Sequence, residues 1–153
     1  MRIVVISDSH KSKSNLFDIV EKHMNTSDLF IFLGDGEDDF DDVLALYPNL
    51  RNERVAGNCD WYSTLPLYKT IKANNKTVFF SHGHPFRVKF GYEEIIRHSK
   101  EIGADICLFG HTHNQYTGYD DGLYIMNPGS AADGKYGIID ITDNGIMLNA
   151  ARL

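Results

Sequence analysis

The chain has 153 residues, 42% of them hydrophobic and 24% charged, enough for one domain with a core of its own and too apolar for a disordered segment. Its net charge of −6 argues against the broad basic face that nucleic-acid or anionic-membrane binding needs, while leaving small phosphate esters open as substrates. The two cysteines, Cys59 and Cys107, are too few for a disulfide framework.

Residues 1–153 are therefore expected to form a single domain. Met1-Arg2 runs straight into a short apolar strand without a secretory h-region, and no apolar run is long enough for a bilayer, so the expected location is the cytoplasm. Ile3-Val4-Val5-Ile6 is β-branched and continuously apolar, the pattern of a strand buried on both faces. It delivers Ser7-Asp8-Ser9-His10 at the strand end, where open α/β sheets place their ligands. Leu16, Ile19, Val20, His23 and Met24 recur at helical spacing, with His23 read as a packing residue.

Leu29 to Leu33 reads as a second buried strand ending in Gly34-Asp35-Gly36, which completes a βαβ unit with parallel strands. The acidic run Glu37 to Asp42 suits a helix N-terminus, with Asp39 the one member set apart as a candidate; Val43, Leu44 and Leu46 are expected to face inward. Asn52 to Ala56 is a third, weaker strand leading into Gly57-Asn58-Cys59-Asp60.

Leu67 to Ile71 and Thr77 to Phe80 read as a hairpin whose second strand ends in Ser81-His82-Gly83-His84-Pro85. Tyr92 to Ile102 is amphipathic, with His98 expected on the solvated side and Gly103 as the stop. Ile106 to Phe109 is a buried strand that ends in Gly110-His111-Thr112-His113. Two imidazoles at i and i+2 share one side of an extended or turning backbone. Tyr116 to Tyr119 pairs with Leu123 to Met126, Asn127-Pro128-Gly129-Ser130 turns, and Tyr136 to Ile141 pairs with Ile146 to Ala150 around Asp143-Asn144-Gly145. The second half thus reads mainly as hairpins with one helix. Two sheets packed face to face, with helices outside, would bury all the strands.

Five of the seven histidines sit at strand ends, together with Asp8, Asp35 and Asn58. Carboxylates, imidazoles and one amide suit Mn²⁺, Fe, Ni²⁺, Co²⁺ or Zn²⁺ rather than a cysteine-rich structural zinc site. These groups are too many for one tetrahedral ion, and two ions sharing a carboxylate fit better, an arrangement suited to phosphoryl transfer to water.

Asp8-x-His10, Gly34-Asp35, Gly57-Asn58, His82-Gly83-His84 and Gly110-His111-Thr112-His113 resemble, in order, the motifs of the calcineurin-like metallophosphoesterases. Gly57-Asn58-Cys59-Asp60 and Asn127-Pro128-Gly129-Ser130 resemble those of its small YfcE-type phosphodiesterase branch. The resemblance implies an α/β fold, a four-layer α/β/β/α sandwich of two mixed sheets flanked by helices. It implies two divalent transition-metal ions, manganese first and nickel, cobalt, iron or zinc as alternatives.

Carried over by motif, Asp8, His10 and His113 hold one ion, Asn58, His82 and His111 the other, and Asp35 both. The implied reaction is hydrolysis of a small or nucleotide-like phosphodiester by a bridging hydroxide. The alternatives are a phosphomonoesterase on the same site, or a non-catalytic interaction module like the retromer-subunit branch. Many relatives carry a histidine where this chain has Cys59, which implies weak activity on poor leaving groups. His84 is a candidate replacement for that contact, with a turn role as the alternative. Asn58, Cys59 and Ser130 are the candidate phosphate contacts, while an arginine frequent after the Ser130 turn is missing and only Lys135 stands near its place. Trp61, Tyr62 and Phe86 could stack a base or pack. The expected partner is a small phosphate ester, with no membrane and no broad nucleic-acid surface; homo-oligomerisation is left open.

Overall fold

Side-chain alternation along β1 (Arg2–Ile6) sets the layers. Ile3 and Val5 enter one apolar cluster, Val4 and Ile6 another, and all four are fully buried. A strand covered on both faces needs a layer on each side. The computed structural model, which describes residues 1–153, supplies both.

After β1 come α1 (Lys13–His23), β2 (Leu29–Phe32), α2 (Glu37–Leu46) and β3 (Asn52–Arg54). The second half holds β4 (Tyr68–Ala73), β5 (Lys76–Ser81), α3 (Glu93–Glu101), β6 (Ile106–Leu108), β7 (Tyr116–Asp120) and β8 (Leu123–Asn127). The chain ends with the hairpin β9 (Lys135–Thr142) and β10 (Gly145–Arg152). One sheet has the order β10-β9-β1-β2-β3 and the other β4-β5-β6-β8-β7.

Both sheets are mixed. In the first, β1, β2 and β3 are parallel, with Ile3 opposite Leu29 and Phe30 opposite Asn52, and β9 joins antiparallel. In the second, β5, β6 and β8 are parallel, with β4 and β7 antiparallel at the edges. Ile3, Val5, Ile31 and Leu33 meet Val78, Phe80, Ile106, Leu108 and Met126 between the sheets. Helices α1 and α2 cover the outer face of the first sheet through Leu16, Ile19, Val20, Phe40 and Val43. Helix α3 covers the second through Ile95 on Phe79, Cys107 and Ile125. The layers are therefore α/β/β/α, as the resemblance implies. No helix is long and apolar enough to cross a membrane.

The second half forms the three expected hairpins, β4–β5, β7–β8 and β9–β10, and its central strands β5, β6 and β8 pair in parallel between them. The structure corrects three details. Leu46 is exposed and Phe40 takes its inward place, because α2 starts at Glu37 and brings Phe40 over Phe32, ring centroids 4.9 Å apart. His98 is only partly solvated, because its ring packs 5.0 Å from that of Phe79 and 5.1 Å from that of Phe86. Phe86 itself is a core residue, out of reach of a stacked base, whereas Trp61 and Tyr62 are exposed. His23 packs as expected, buried against Tyr136 with a ring nitrogen 3.0 Å from the hydroxyl.

Candidate metal centre

Parallel strands within each sheet send their carboxyl ends the same way, so the loops after β1, β2, β3, β5 and β6 gather along one edge of the sandwich. These loops interlock through main-chain bonds. Asp8 N–H donates to Gly34, His10 N–H to Asp35 and Gly110 N–H to His82, at 3.0, 3.2 and 2.9 Å. Glycines permit the close approach. A side chain at Gly57 would run into the Asp35 carboxylate, and one at Gly110 into Ser7 and Asp8.

Asp8, fully buried, keeps one carboxylate oxygen for the loops and one for the site. Its Oδ2 accepts from the Ser7 hydroxyl at 2.5 Å and from His111 N–H at 3.1 Å. Oδ1 is buried with no hydrogen-bond donor and faces His113 Nε2 at 3.1 Å and His10 Nε2 at 3.5 Å. Asp35 is divided the same way. Oδ1 accepts from Cys59 N–H at 2.8 Å, while Oδ2 lies 3.3 Å from His82 Nε2 and 3.8 Å from His10 Nε2.

The imidazoles complete two groups. His10 Nε2 and His113 Nε2 are 3.1 Å apart beside Asp8. His82 Nε2 and His111 Nδ1 are 3.1 Å apart beside Asp35. His82 Nδ1 sits 2.8 Å from the Leu33 carbonyl, which turns Nε2 to the site. Two ring nitrogens that close, each beside a carboxylate oxygen, are held together only by a shared proton or a shared cation. Asp8–His10–His113 and Asp35–His82–His111 each bring one donor atom per residue within 4.8 Å of the others. The donor set, oxygen and neutral nitrogen without thiolate, fits divalent transition-metal ions. His10, Asp35 and Cys59 form a third such group, but a thiol held protonated is a poor ligand.

Burial would raise Asp35, yet the hydrogen bond and charge of His82, with the Cys59 N–H, outweigh it and hold the carboxyl well below the usual carboxylate range. Burial would lower His82, but Asp35 and Asp8 raise it above the ordinary imidazole value. Burial and the nearby His82 push His111 down to about 4, and the same two causes lower His84. Burial, reinforced by the negative charge of Asp35, pushes the Cys59 thiol up to about 11.

The remaining sequence candidates fall around the cluster. Asn58 is exposed, its amide nitrogen 3.4 Å from Cys59 Sγ. His84 stands beside the cluster, its ring 5.5 Å from that of His82 and 6.2 Å from that of His111, with Nδ1 buried and unpartnered. Ser130, a candidate phosphate contact, has its hydroxyl engaged inside the fold. It is buried, and its hydroxyl donates to the Asp8 carbonyl at 2.8 Å, which fixes the loop after β1. Lys135 is no free cation either, since its ammonium donates to Asp133 and to the His113 carbonyl. Asp39 is buried and accepts from the Ser9 hydroxyl at 2.6 Å and Lys11 N–H at 2.9 Å, so it shapes the loop that carries His10.

Sequence reasoning missed Asp60. Its carboxylate accepts from the N–H groups of Asp35, Gly36, Glu37 and Gly57 at 2.8 to 3.0 Å. It closes the N-terminus of α2 and ties together the loops that carry Asp35 and Asn58. The signal was present: α2 begins after Gly36, which has no side chain to cap it, and a carboxylate stands two residues beyond Asn58. Asn127 was likewise read only as a turn. Its amide donates to the Gly110 carbonyl and the Thr112 hydroxyl at 2.9 Å and so holds the loop of His111 and His113.

Fold and cluster together define a class: α/β/β/α proteins that gather aspartates and histidines at the strand ends to hold metal ions. Residues 1–144 match the family model of the calcineurin-like phosphoesterase superfamily domain, and the chain belongs to that family, in its YfcE-like branch. It is 30% identical over 131 residues to the probable metallophosphoesterase YsnB of Bacillus subtilis, which covers 85% of this chain and 75% of YsnB. A predicted phosphoesterase from Streptococcus pneumoniae has the same fold, with TM-score 0.85 and 24% identity, covering 99% of this chain and 88% of that one. So does an archaeal phosphodiesterase, with TM-score 0.77 and 21% identity over the whole of both chains. Vps29 proteins of several eukaryotes share the fold too, at TM-scores of 0.72 to 0.77.

Two predictions follow from this geometry. Asp60→Ala leaves four N–H groups without their acceptor; it is expected to lower unfolding stability by about 2 kcal/mol and metal affinity by roughly tenfold or more. Urea denaturation and metal titration measure the two effects, and wild-type affinity in the variant would remove Asp60 from any part in the site. The second concerns pH. In the metal-free protein, His82 contributes stability that is present below its unfolded value and lost as pH rises through the raised folded one. Asp35 does the opposite, losing its contribution as pH falls through its depressed value. A metal ion held there would compete with protons for His82, so affinity should fall as pH drops toward and below the imidazole range. Calorimetry in two buffers of different ionisation enthalpy should show proton release on binding, and none would contradict it.

Proposed function

We propose that this protein hydrolyses small or nucleotide-like phosphodiesters with two divalent transition-metal ions, manganese first among them. The observation that carries the proposal is the split use of Asp8 and Asp35: one oxygen of each is held by the loops and the other is turned onto paired imidazoles. Asp8, His10 and His113 would hold one ion and His82, His111 and the Asn58 amide the other, with Asp35, whose Oδ2 faces both His82 and His10, as a ligand available to either. When bound, the ions supply Lewis acidity toward the phosphoryl oxygens and acidify water.

The chain's own residues explain the preference for diesters with good leaving groups. Cys59 stays a neutral thiol, a weak hydrogen-bond donor with no positive charge for the phosphate. His84 is held neutral by burial and by His82, so no imidazolium stands by to protonate a departing alkoxide. Ser130 and Lys135 are engaged elsewhere. The site therefore offers little beyond the metal ligands to grip the second negative charge of a monoester. An archaeal phosphodiesterase with this fold supports the same reading.

The test is hydrolysis of bis(p-nitrophenyl) phosphate beside p-nitrophenyl phosphate, using chelator-stripped protein with Mn²⁺, Ni²⁺, Co²⁺, Zn²⁺ or Mg²⁺ restored. Metal-dependent diester cleavage faster than monoester cleavage is expected, with Asp35→Asn at background while still folded by circular dichroism. Faster monoester cleavage makes the protein a phosphomonoesterase. No turnover with any metal in folded protein transfers it to the interaction-module reading. Cys59→His should raise turnover of an ester with a poorer leaving group by about tenfold or more by restoring an acid at that place; an unchanged rate would contradict the role given to the thiol.

A further inference from the structure

A cleft of about 390 Å³ adjoins the cluster, sharing His10, Asp35 and Cys59 with it and running between the start of α2 and the loop 59–63. Nothing in the metal chemistry uses the rest of this cleft. Trp61 and Tyr62 line it at 82% and 97% exposure, two large adjacent rings left in water at the edge of a reaction centre. Exposed aromatic faces beside a phosphate site are stacking platforms for a flat ring.

Glu37 lines the same cleft from the first turn of α2, and its Oε2 is buried with no hydrogen-bond donor. Rotation of this side chain about its terminal torsions would turn Oε2 into the cleft, where a ligand N–H would supply the donor it lacks. Asp38, Asp39 and Asp60 add negative charge to the lining, against one cation, Lys11. That balance disfavours a further phosphate and favours a neutral ring that carries N–H donors.

We infer that this cleft is a base subsite: it seats a nucleobase with N–H donors stacked on Trp61 and Tyr62 and bonded to Glu37. On the phosphodiesterase reading, on which this inference rests, the substrate is then a nucleoside phosphodiester with no phosphate beyond the one that reacts. Guanine fits best of the common bases. It presents two adjacent N–H groups to a carboxylate, whereas thymine presents one between two carbonyl oxygens that the carboxylate repels.

The experiment compares the p-nitrophenyl esters of guanosine 5′-phosphate and thymidine 5′-phosphate with methyl p-nitrophenyl phosphate, which has the same leaving group and no base. With Mn²⁺-loaded protein, kcat/KM for the guanosine ester should exceed that for the methyl ester by about tenfold or more. Trp61→Ala and Tyr62→Ala should each shrink that ratio several-fold, and Glu37→Gln should narrow the gap between guanosine and thymidine esters. Binding is read separately from turnover. Trp61 is the chain's only tryptophan, so guanosine titrated into Mn²⁺-loaded protein should quench the intrinsic tryptophan fluorescence saturably, and more weakly in Tyr62→Ala. Equal cleavage of the guanosine and methyl esters without saturable quenching overturns the subsite and leaves the phosphodiesterase reading standing. Saturable quenching without cleavage of any ester supports the base subsite and overturns the phosphodiesterase reading instead.

Discussion

Two carboxylates, Asp8 and Asp35, are buried within reach of the same imidazoles, and the surrounding structure answers that fact. A buried carboxylate without partners is strongly disfavoured, and two facing one small space repel each other. The loops meet half of this burden with donors fixed in place: the Ser7 hydroxyl and His111 N–H on Asp8, the Cys59 N–H on Asp35. The other half is left to whatever positive charge occupies the space between the imidazoles. In the metal-free protein His82 answers it: Asp35 and Asp8 raise its affinity for a proton against the pull of burial, while His82 depresses that of Asp35. On the proposed function, the polar groups that would bind cations are kept inside the fold by those same cations.

The same demand appears in the backbone. Asp8, His10, Asp35, His111 and His113 all have positive φ, between 44° and 68°, although none is glycine. Left-handed conformations of non-glycine residues are each unfavourable by about 1–3 kcal/mol and persist only where neighbours over-determine them. Asp60, Asp39 and Asn127 are the neighbours that do so: each accepts or donates bonds across a loop bearing one or two of these residues. The sharp turns aim side chains from the strand ends back over the sheet edge.

Those supports are what the sequence concealed. Buried β-branched runs such as Ile3 to Ile6 and helical spacing such as Leu16 to His23 announce themselves because they arise from local periodicity. The strand-end aspartates and histidines were legible for the same reason: a period-2 or period-3.6 pattern stops, a glycine follows, and polar groups stand together. Asp60 and Asn127 work mainly across long sequence separations, so the one mark of Asp60 was the uncapped start of α2 far from it in the chain, and Asn127 had none beyond its turn. Ser130 is the complementary case, since a hydroxyl in a Gly-Ser turn looks available until the loop after β1 is folded over it and takes up its hydrogen bond. His98 looked solvated on its own helix, but the β4–β5 hairpin brings Tyr68 and Phe79 against its ring.

Neither sheet holds a complete group of ligands. Asp8 and His10 follow a strand of the first sheet, whereas His113 follows one of the second; Asp35 comes from the first, His82 and His111 from the second. Each cluster therefore straddles the seam between the sheets, and the distances inside it are set by how the sheets pack. That packing is governed by the buried layer of Ile3, Val5, Ile31 and Leu33 against Phe80, Leu108 and Met126. Close-packed interiors transmit small displacements rather than absorbing them. A shift of a few tenths of an ångström between the sheets would change the contacts of 3.1 to 3.9 Å within the cluster while hardly altering loops that lie on one sheet alone. The apolar layer is thus part of the proposed metal site. It acts on the chemistry through the spacing of the sheets, and it does so without touching any ligand.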